Sequence, residues 1–238
     1  MKKSMSAKLT SIFFLVFFLA SGLLFHACAL NFKGKETSKI RLIDDYKYET
    51  TARYLEERLN RYPKKMKTIY AIQLFSVYFE ARMYEKGIAL VSELLKDERV
   101  SKYWAYINLS VCYFKIGSYE KSSQALDKAI ESRGPGEWYS KMIRAAILEQ
   151  TGDTQKADIL LKEVESPTPD SPRYINYIMN MACYFAHKGD APNTEKYILQ
   201  ALGMPGVDDT FFKRDVSFDK FRKQKWYKKL FGETIKKN

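Results

Sequence analysis

The residues able to do acid–base, nucleophilic or metal chemistry are few in this 238-residue chain: two histidines, His26 and His187, and three cysteines, Cys28, Cys112 and Cys183. Metal capture needs several ligands at short spacings, and no Cys-x2-Cys, His-Glu-x2-His or phosphate-loop spacing occurs. His26 lies in an apolar run, so any Ser-His-Asp arrangement would have to use His187, and no nucleophile elbow accompanies it. His187 stands just before a helix-ending Gly189 and is expected to be a solvated helix-end residue. Cys112 and Cys183 fall in separate apolar stretches and read as free buried thiols, which pack well in cores. No pair of carboxylates is marked out. The expectation is a protein without catalysis, metal or cofactor.

Cys28 belongs to a different kind of chemistry. Met1 to Lys8 carries three lysines and no acid, Leu9 to Phe25 is almost wholly apolar, and small residues follow. That order is the signature of a targeting segment, here residues 1–29. Phe25-His26-Ala27-Cys28 resembles a loose bacterial lipobox, which would make Cys28 a lipidated first residue; His26 and Phe25 depart from the usual pattern. Ala27-Cys28-Ala29 also fits cleavage by an ordinary signal peptidase. Left uncleaved, Leu9 to Leu30 would suffice to span a bilayer, which takes about 20 apolar residues. Each fate places the rest of the chain outside the cytoplasmic membrane, as an anchored lipoprotein or an envelope protein.

A share of 46% hydrophobic and 15% aromatic residues supports a packed core, and only 11 Gly and 7 Pro point to helices with few tight turns. The net charge of +12 is unevenly placed. Three lysines fall in the targeting segment. Ten Lys or Arg lie between Lys213 and Lys237, against Asp215, Asp219 and Glu233, leaving the middle only slightly basic.

That middle repeats itself. Tyr84 lies 35 positions before Tyr119, Gly117 lies 35 before Gly152, and Gly189 follows 37 later, the extra length falling in the Pro-rich stretch Ser166–Pro172. Around these markers recur Leu74, Phe75 and Tyr78; Leu109 and Tyr113; Ala145 and Leu148; Met181, Ala182 and Phe185. After them come Gly87, Val91 and Leu94; Ser122, Leu126 and Ala129; Ala157, Leu161 and Val164; Thr194, Ile198 and Ala201. The pattern resembles the tetratricopeptide repeat (TPR) core of about 34 residues, with Tyr106 in the Trp position and Ser110 in place of Gly. A helix pair cannot bury its apolar stripe alone, so neighbours must stack.

The resemblance implies an all-α, TPR-like α-solenoid of antiparallel helix pairs, with four repeats over residues 68–101, 103–136, 138–171 and 175–208. Residues 38–66 read as a partial repeat before them. Residues 209–238, with Phe218, Phe221, Trp226, Tyr227, Leu230 and Phe231 among lysines, resemble the capping helix that follows the last repeat of many bacterial TPR proteins. A basic aromatic helix also suits an anionic membrane or nucleic acid, and export argues against nucleic acid.

In TPR proteins the first helices of successive repeats line a concave groove. The positions carried over are Ile69, Ile72, Gln73, Ser76 and Phe79; Trp104, Ile107, Asn108, Val111 and Lys115; Tyr139, Met142, Ile143, Ala146 and Glu149; and Asn176, Met179, Asn180 and His187. Only Asn108 fits the clamp some members use for a terminal carboxylate, since Ile72, Ser76, Tyr139 and Ile143 stand where polar or basic groups are needed. What remains suits an amphipathic helix or extended apolar peptide, unless the protein's own N-terminal segment or tail covers it. The resulting expectation is a non-catalytic scaffold binding other envelope proteins. An accessory component of a transport system, holding an apolar ligand or lipid, is the second reading, and a purely structural subunit the third.

Overall fold

The computed structural model describes residues 45–61, 64–132 and 137–232, so the targeting segment and the three fates of Cys28 lie outside the described residues. Among those described, every regular element is helical. The order is α1 (Asp45–Arg61), α2 (Lys64–Glu80), α3 (Tyr84–Leu94), α4 (Lys102–Lys115), α5 (Tyr119–Glu131), α6 (Glu137–Gln150), α7 (Thr154–Lys162), α8 (Tyr174–Lys188), α9 (Ala191–Leu202) and α10 (Thr210–Arg214), then a 3-10 turn (Val216–Phe221) and α11 (Lys225–Leu230). None of these helices is long and apolar enough to cross a membrane.

Helix α2 packs on α3, α4 on α5, α6 on α7 and α8 on α9, and each pair lies against the next; α1 covers the outer side of α2. The small residues of the second helices set these approaches. Gly87, Ser122, Ala157 and Thr194 are all buried, and a Cβ on Gly87 would stand 3.3 Å from the Phe75 ring and 3.5 Å from Cys112 Sγ. Ser110 and Ser122 face each other across α4 and α5, each hydroxyl donating to the other's carbonyl at 2.9 and 2.8 Å. Two buried hydroxyls are thereby satisfied at a close helix crossing, where an unpaired one would cost about 1–3 kcal/mol. Val91, Leu126 and Ile198 are wholly inaccessible beside them.

One turn geometry joins the two helices of every pair. Gly117, Gly152 and Gly189 have φ of 75°, 92° and 85°, and the following amide bonds back five residues: Ser118 to Tyr113, Asp153 to Leu148, Asp190 to Phe185. This is a glycine-terminated helix end with its last carbonyls satisfied. In the first pair the same bond runs from Met83 to Tyr78, yet the left-handed residue is Arg82, at φ 59°.

The C-terminal segment is three short elements rather than one helix. Asp215 (φ −65°, ψ 135°) is extended, ends α10 and precedes the 3-10 turn; Gln224 (φ −76°, ψ 144°) is likewise extended and precedes α11. Phe212, Phe218, Phe221, Tyr227 and Phe231 bury against Ile178, Ala182, Ala186, Ile198 and Ala201 of the last pair. The segment also reaches back to the opposite end of the stack. Arg214 lies over the Tyr48 ring of α1 at 4.6 Å, and Arg82 Nε donates to the Arg214 carbonyl at 2.6 Å.

Candidate binding groove

The helix that opens each pair ends on a polar side chain two residues before its left-handed turn. These four are Glu80, Lys115, Gln150 and His187, in register with Arg82, Gly117, Gly152 and Gly189. The C-terminal segment is laid across them. Arg214 faces Glu80 and the Tyr48 hydroxyl, which hydrogen-bonds Glu80. Lys115 Nζ reaches Asp215 Oδ1 at 2.6 Å and Ser217 Oγ at 2.7 Å. Gln150 Nε2 and Lys220 Nζ both donate to the His187 carbonyl, at 3.1 and 2.8 Å.

Electrostatics follow from burial. The Lys115 and Asp215 side chains are 7% and 5% exposed. Burial alone would lower the lysine pKa and raise that of the carboxyl. The opposite charge at 2.6 Å outweighs this, so Lys115 is shifted up, Asp215 down, and both stay ionised. Burial, then the Lys115 charge, hold His187 well below the ordinary imidazole value. Its Nε2 lies 3.0 Å from Ser217 Oγ and its ring meets Phe114 edge-on at 4.7 Å. The sequence expectation of a solvated His187 is therefore corrected: the residue is partly buried at its helix end because the tail, distant in sequence, lies over it. Burial pushes the thiols of Cys112 and Cys183 up to about 12, and both cysteines are free. Neither is primed as a nucleophile. No group of three His, Cys, Asp or Glu side chains converges on a metal position among the described residues.

Beside this crossing lies a concave groove of about 890 Å³, partly continuous with solvent. Its walls come from α2 (Phe79), α4 (Asn108, Val111, Phe114, Lys115), α6 (Tyr139, Met142, Ile143, Ala146), α8 (Asn176, Met179, Asn180, Cys183, Tyr184, His187) and the tail (Phe211, Asp215). The structure thus brings Phe79, Asn108, Val111, Tyr139, Met142, Asn176 and Asn180 to one cavity. Seven other sequence candidates, Ile69, Ile72, Gln73, Ser76, Trp104, Ile107 and Glu149, do not line it. Trp104 packs edge-on against Phe75 at 5.6 Å and is 7% exposed, and Ile107 is fully inaccessible. Ile72 is partly buried against the Phe75 cluster, and the buried Ser76 hydroxyl bonds back to the Ile72 carbonyl at 3.3 Å. Helices α2 and α4 are covered on two sides by their neighbours, so less of each faces the groove than the repeat pattern suggests. Phe114, Cys183, Tyr184, Phe211 and Asp215 were not legible as lining residues; the one usable signal was an acid, Asp215, in a basic segment.

Besides Lys115, Asp215, His187 and two tyrosines, the polar groups of the groove are carboxamides. Asn108 Nδ2 donates to the Trp104 carbonyl at 2.8 Å, and Asn180 Nδ2 to the Asn176 carbonyl at 2.7 Å. Those bonds fix both side chains, and no donor among the described residues reaches either Oδ1. Asn176 lies on the same wall, and its backbone carbonyl is the one that Asn180 Nδ2 engages. Comparison with known proteins adds no name to this arrangement: no family model, curated protein or solved structure matches the chain.

Proposed function

We propose that this chain is an exported TPR-like solenoid of the bacterial cell envelope, held at the membrane through its N-terminal segment, and that its groove receives a segment of another envelope protein without catalysis. The observation that carries this reading is the set of three asparagines, Asn108, Asn176 and Asn180, set among apolar side chains of the groove. Their unused amide capacity matches the peptide bonds of an extended segment, while Val111, Met142 and Met179 offer apolar contact to its side chains. A lipid chain would leave those carboxamides unpaired, at a cost of about 1–3 kcal/mol for each group shut off from water.

The second reading, an accessory component of a transport system binding a small apolar ligand, is supported by the tail. Phe211 and Asp215 close one side of the groove, which shields part of it from solvent as a small-ligand site requires. A photo-crosslinking residue placed at Met142 in cells separates the two. Covalent capture of a protein there, and not from the outward-facing Lys121, supports the scaffold. Native mass spectra showing a bound species of small-molecule mass, with no crosslinked protein, favour the ligand reading.

A further inference from the structure

The molecule carries its charge excess at its two ends. Residues 45–209 hold 23 Lys and Arg against 23 Asp and Glu, so the whole +12 belongs to residues 1–44 and 210–238. In the second segment the described acids are turned onto the protein: Asp215 is buried on Lys115, and Asp219 pairs with Arg82 and Arg222. Several cations are engaged as well, Lys213 with Asp209, Arg214 over Tyr48 and Lys220 on the His187 carbonyl. Lys223, Lys225, Lys228 and Lys229 have no carboxylate partner among the described residues; three are exposed and Lys228 is partly so. Phe221, Tyr227 and Phe231 are buried beneath them. The four lysines thus stand on the outer side of a packed platform.

The chain's other basic end precedes α1, which lies at the opposite end of the stack from this platform and is joined to it through Arg214. Helix α1 begins at Asp45, and Tyr48 in its first turn carries the Arg214 guanidinium, at the root of the basic segment. Only residues 31–44 separate α1 from the apolar run ending at Leu30. Fully extended, they reach about 50 Å at most. A tether of that reach lets the basic side meet the surface that receives the apolar run.

We infer that the face formed by Lys223, Lys225, Lys228 and Lys229 docks on an anionic lipid surface, the same bilayer that the N-terminal segment enters. The inference rests on the membrane attachment proposed above. Lysines beside an anionic leaflet each tighten association about fivefold, and the attraction acts within about 10 Å at ordinary salt. Docking this way fixes the attitude of the groove relative to the membrane.

The test uses the full chain with vesicles of phosphatidylcholine alone, or of phosphatidylcholine with phosphatidylglycerol, and follows lysine acylation site by site. Docking slows acylation of the four tail lysines about fivefold or more on the anionic vesicles only. Lys121 and Lys128 on α5 keep their rates, and salt of about 1 M, where screening acts within about 3 Å, removes the protection. Equal rates on both vesicles overturn the docking surface. Equal protection by soluble polyphosphate overturns its assignment to lipid. Flotation with phosphatidylcholine alone reads the N-terminal attachment separately. A chain that fails to float there, yet is protected on anionic vesicles, refutes the attachment and upholds the docking face; flotation with neither refutes both. The variant K223Q/K225Q/K228Q/K229Q removes no ion pair, so it unfolds as wild type does and loses only the salt-sensitive protection and binding.

Discussion

Lys115 and Asp215, 100 residues apart in sequence, form a buried ion pair at 2.6 Å that ties the C-terminal segment to the middle of the helical stack. Ser217 completes it, accepting from Lys115 through Oγ and donating its backbone amide to Asp215 at 2.8 Å. Removing one partner leaves the other charged in a dry place. Lys115→Met is therefore expected to cost about 3–5 kcal/mol, and the double variant K115M/D215L far less than the sum of the two single changes. Urea unfolding of the four proteins in a mutant cycle measures this, and additive losses would refute the coupling. The pair also sets an acid limit. The folded pKa of Asp215 lies below its ordinary 3.8, so its contribution is complete above that value and disappears as pH falls through the lower folded one. The double variant should lose less stability than wild type on acidification below about pH 4.

Arg82 occupies the turn position that the other three pairs give to glycine. A side chain there costs about 1 kcal/mol or more in backbone strain. The return is its guanidinium fork, which holds the Arg214 carbonyl through Nε and Asp219 through both terminal nitrogens at 3.2 and 3.1 Å. Arg82→Lys keeps the strain and loses the fork, whereas Arg82→Gly loses the fork and sheds the strain. The glycine variant should be the more stable of the two by about 1 kcal/mol, although both free the tail. Amide exchange over residues 211–222 should quicken in both. A lysine variant as stable as the glycine one would show that φ at this turn is not strained.

The same two pairs of residues show how far the sequence could be read. The helix pairs were legible because glycines, tyrosines and small residues recur at fixed steps, and a periodic pattern records which face must be covered. Gly117, Gly152 and Gly189 announced their turns; Arg82 did not, because its conformation is held by partners about 130 residues away. Asn108, Tyr139, Met142 and Asn180 could be placed on the groove from their repeat phase. Trp104 and Ile107 share that phase, but their side chains pack into the clusters around Phe75 and Leu126 and not into the groove. Phe211 and Asp215 enter the groove through a non-repeating segment, and no periodicity can report a contact made only once.

Glu80 supplies a pH dependence of opposite sign. Burial pushes its carboxyl up to about 7, against the lowering effects of the Tyr48 hydrogen bond and the Arg214 charge. A raised folded value means that stability is fully present below the ordinary 4.5 and is lost as pH rises through about 7. Glu80→Gln mimics the protonated form. It should match wild type near pH 4.5 and exceed it at pH 8 by up to about 2 kcal/mol. Thermal unfolding across that range checks this, and a constant offset between the two proteins would contradict it.

The groove asparagines separate binding from folding. Trp104 belongs to the core beside Phe75, so Trp104→Ala should cost about 3–5 kcal/mol and abolish capture only by unfolding the stack. Asn108 and Asn180 each use one donor on their own helix and leave an acceptor toward the groove. Replacing both with Leu removes two carboxamides that each hold one hydrogen bond on their own helix, so stability should change by less than about 1.5 kcal/mol. Crosslinking from Met142 should nevertheless fall at least about fivefold, because two amide contacts to a bound peptide are each worth about 0.5–1.5 kcal/mol. Undiminished capture by a folded N108L/N180L variant would mean that the carboxamides do not read a peptide backbone. The groove would then recognise its occupant by apolar shape alone, as the small-ligand reading requires.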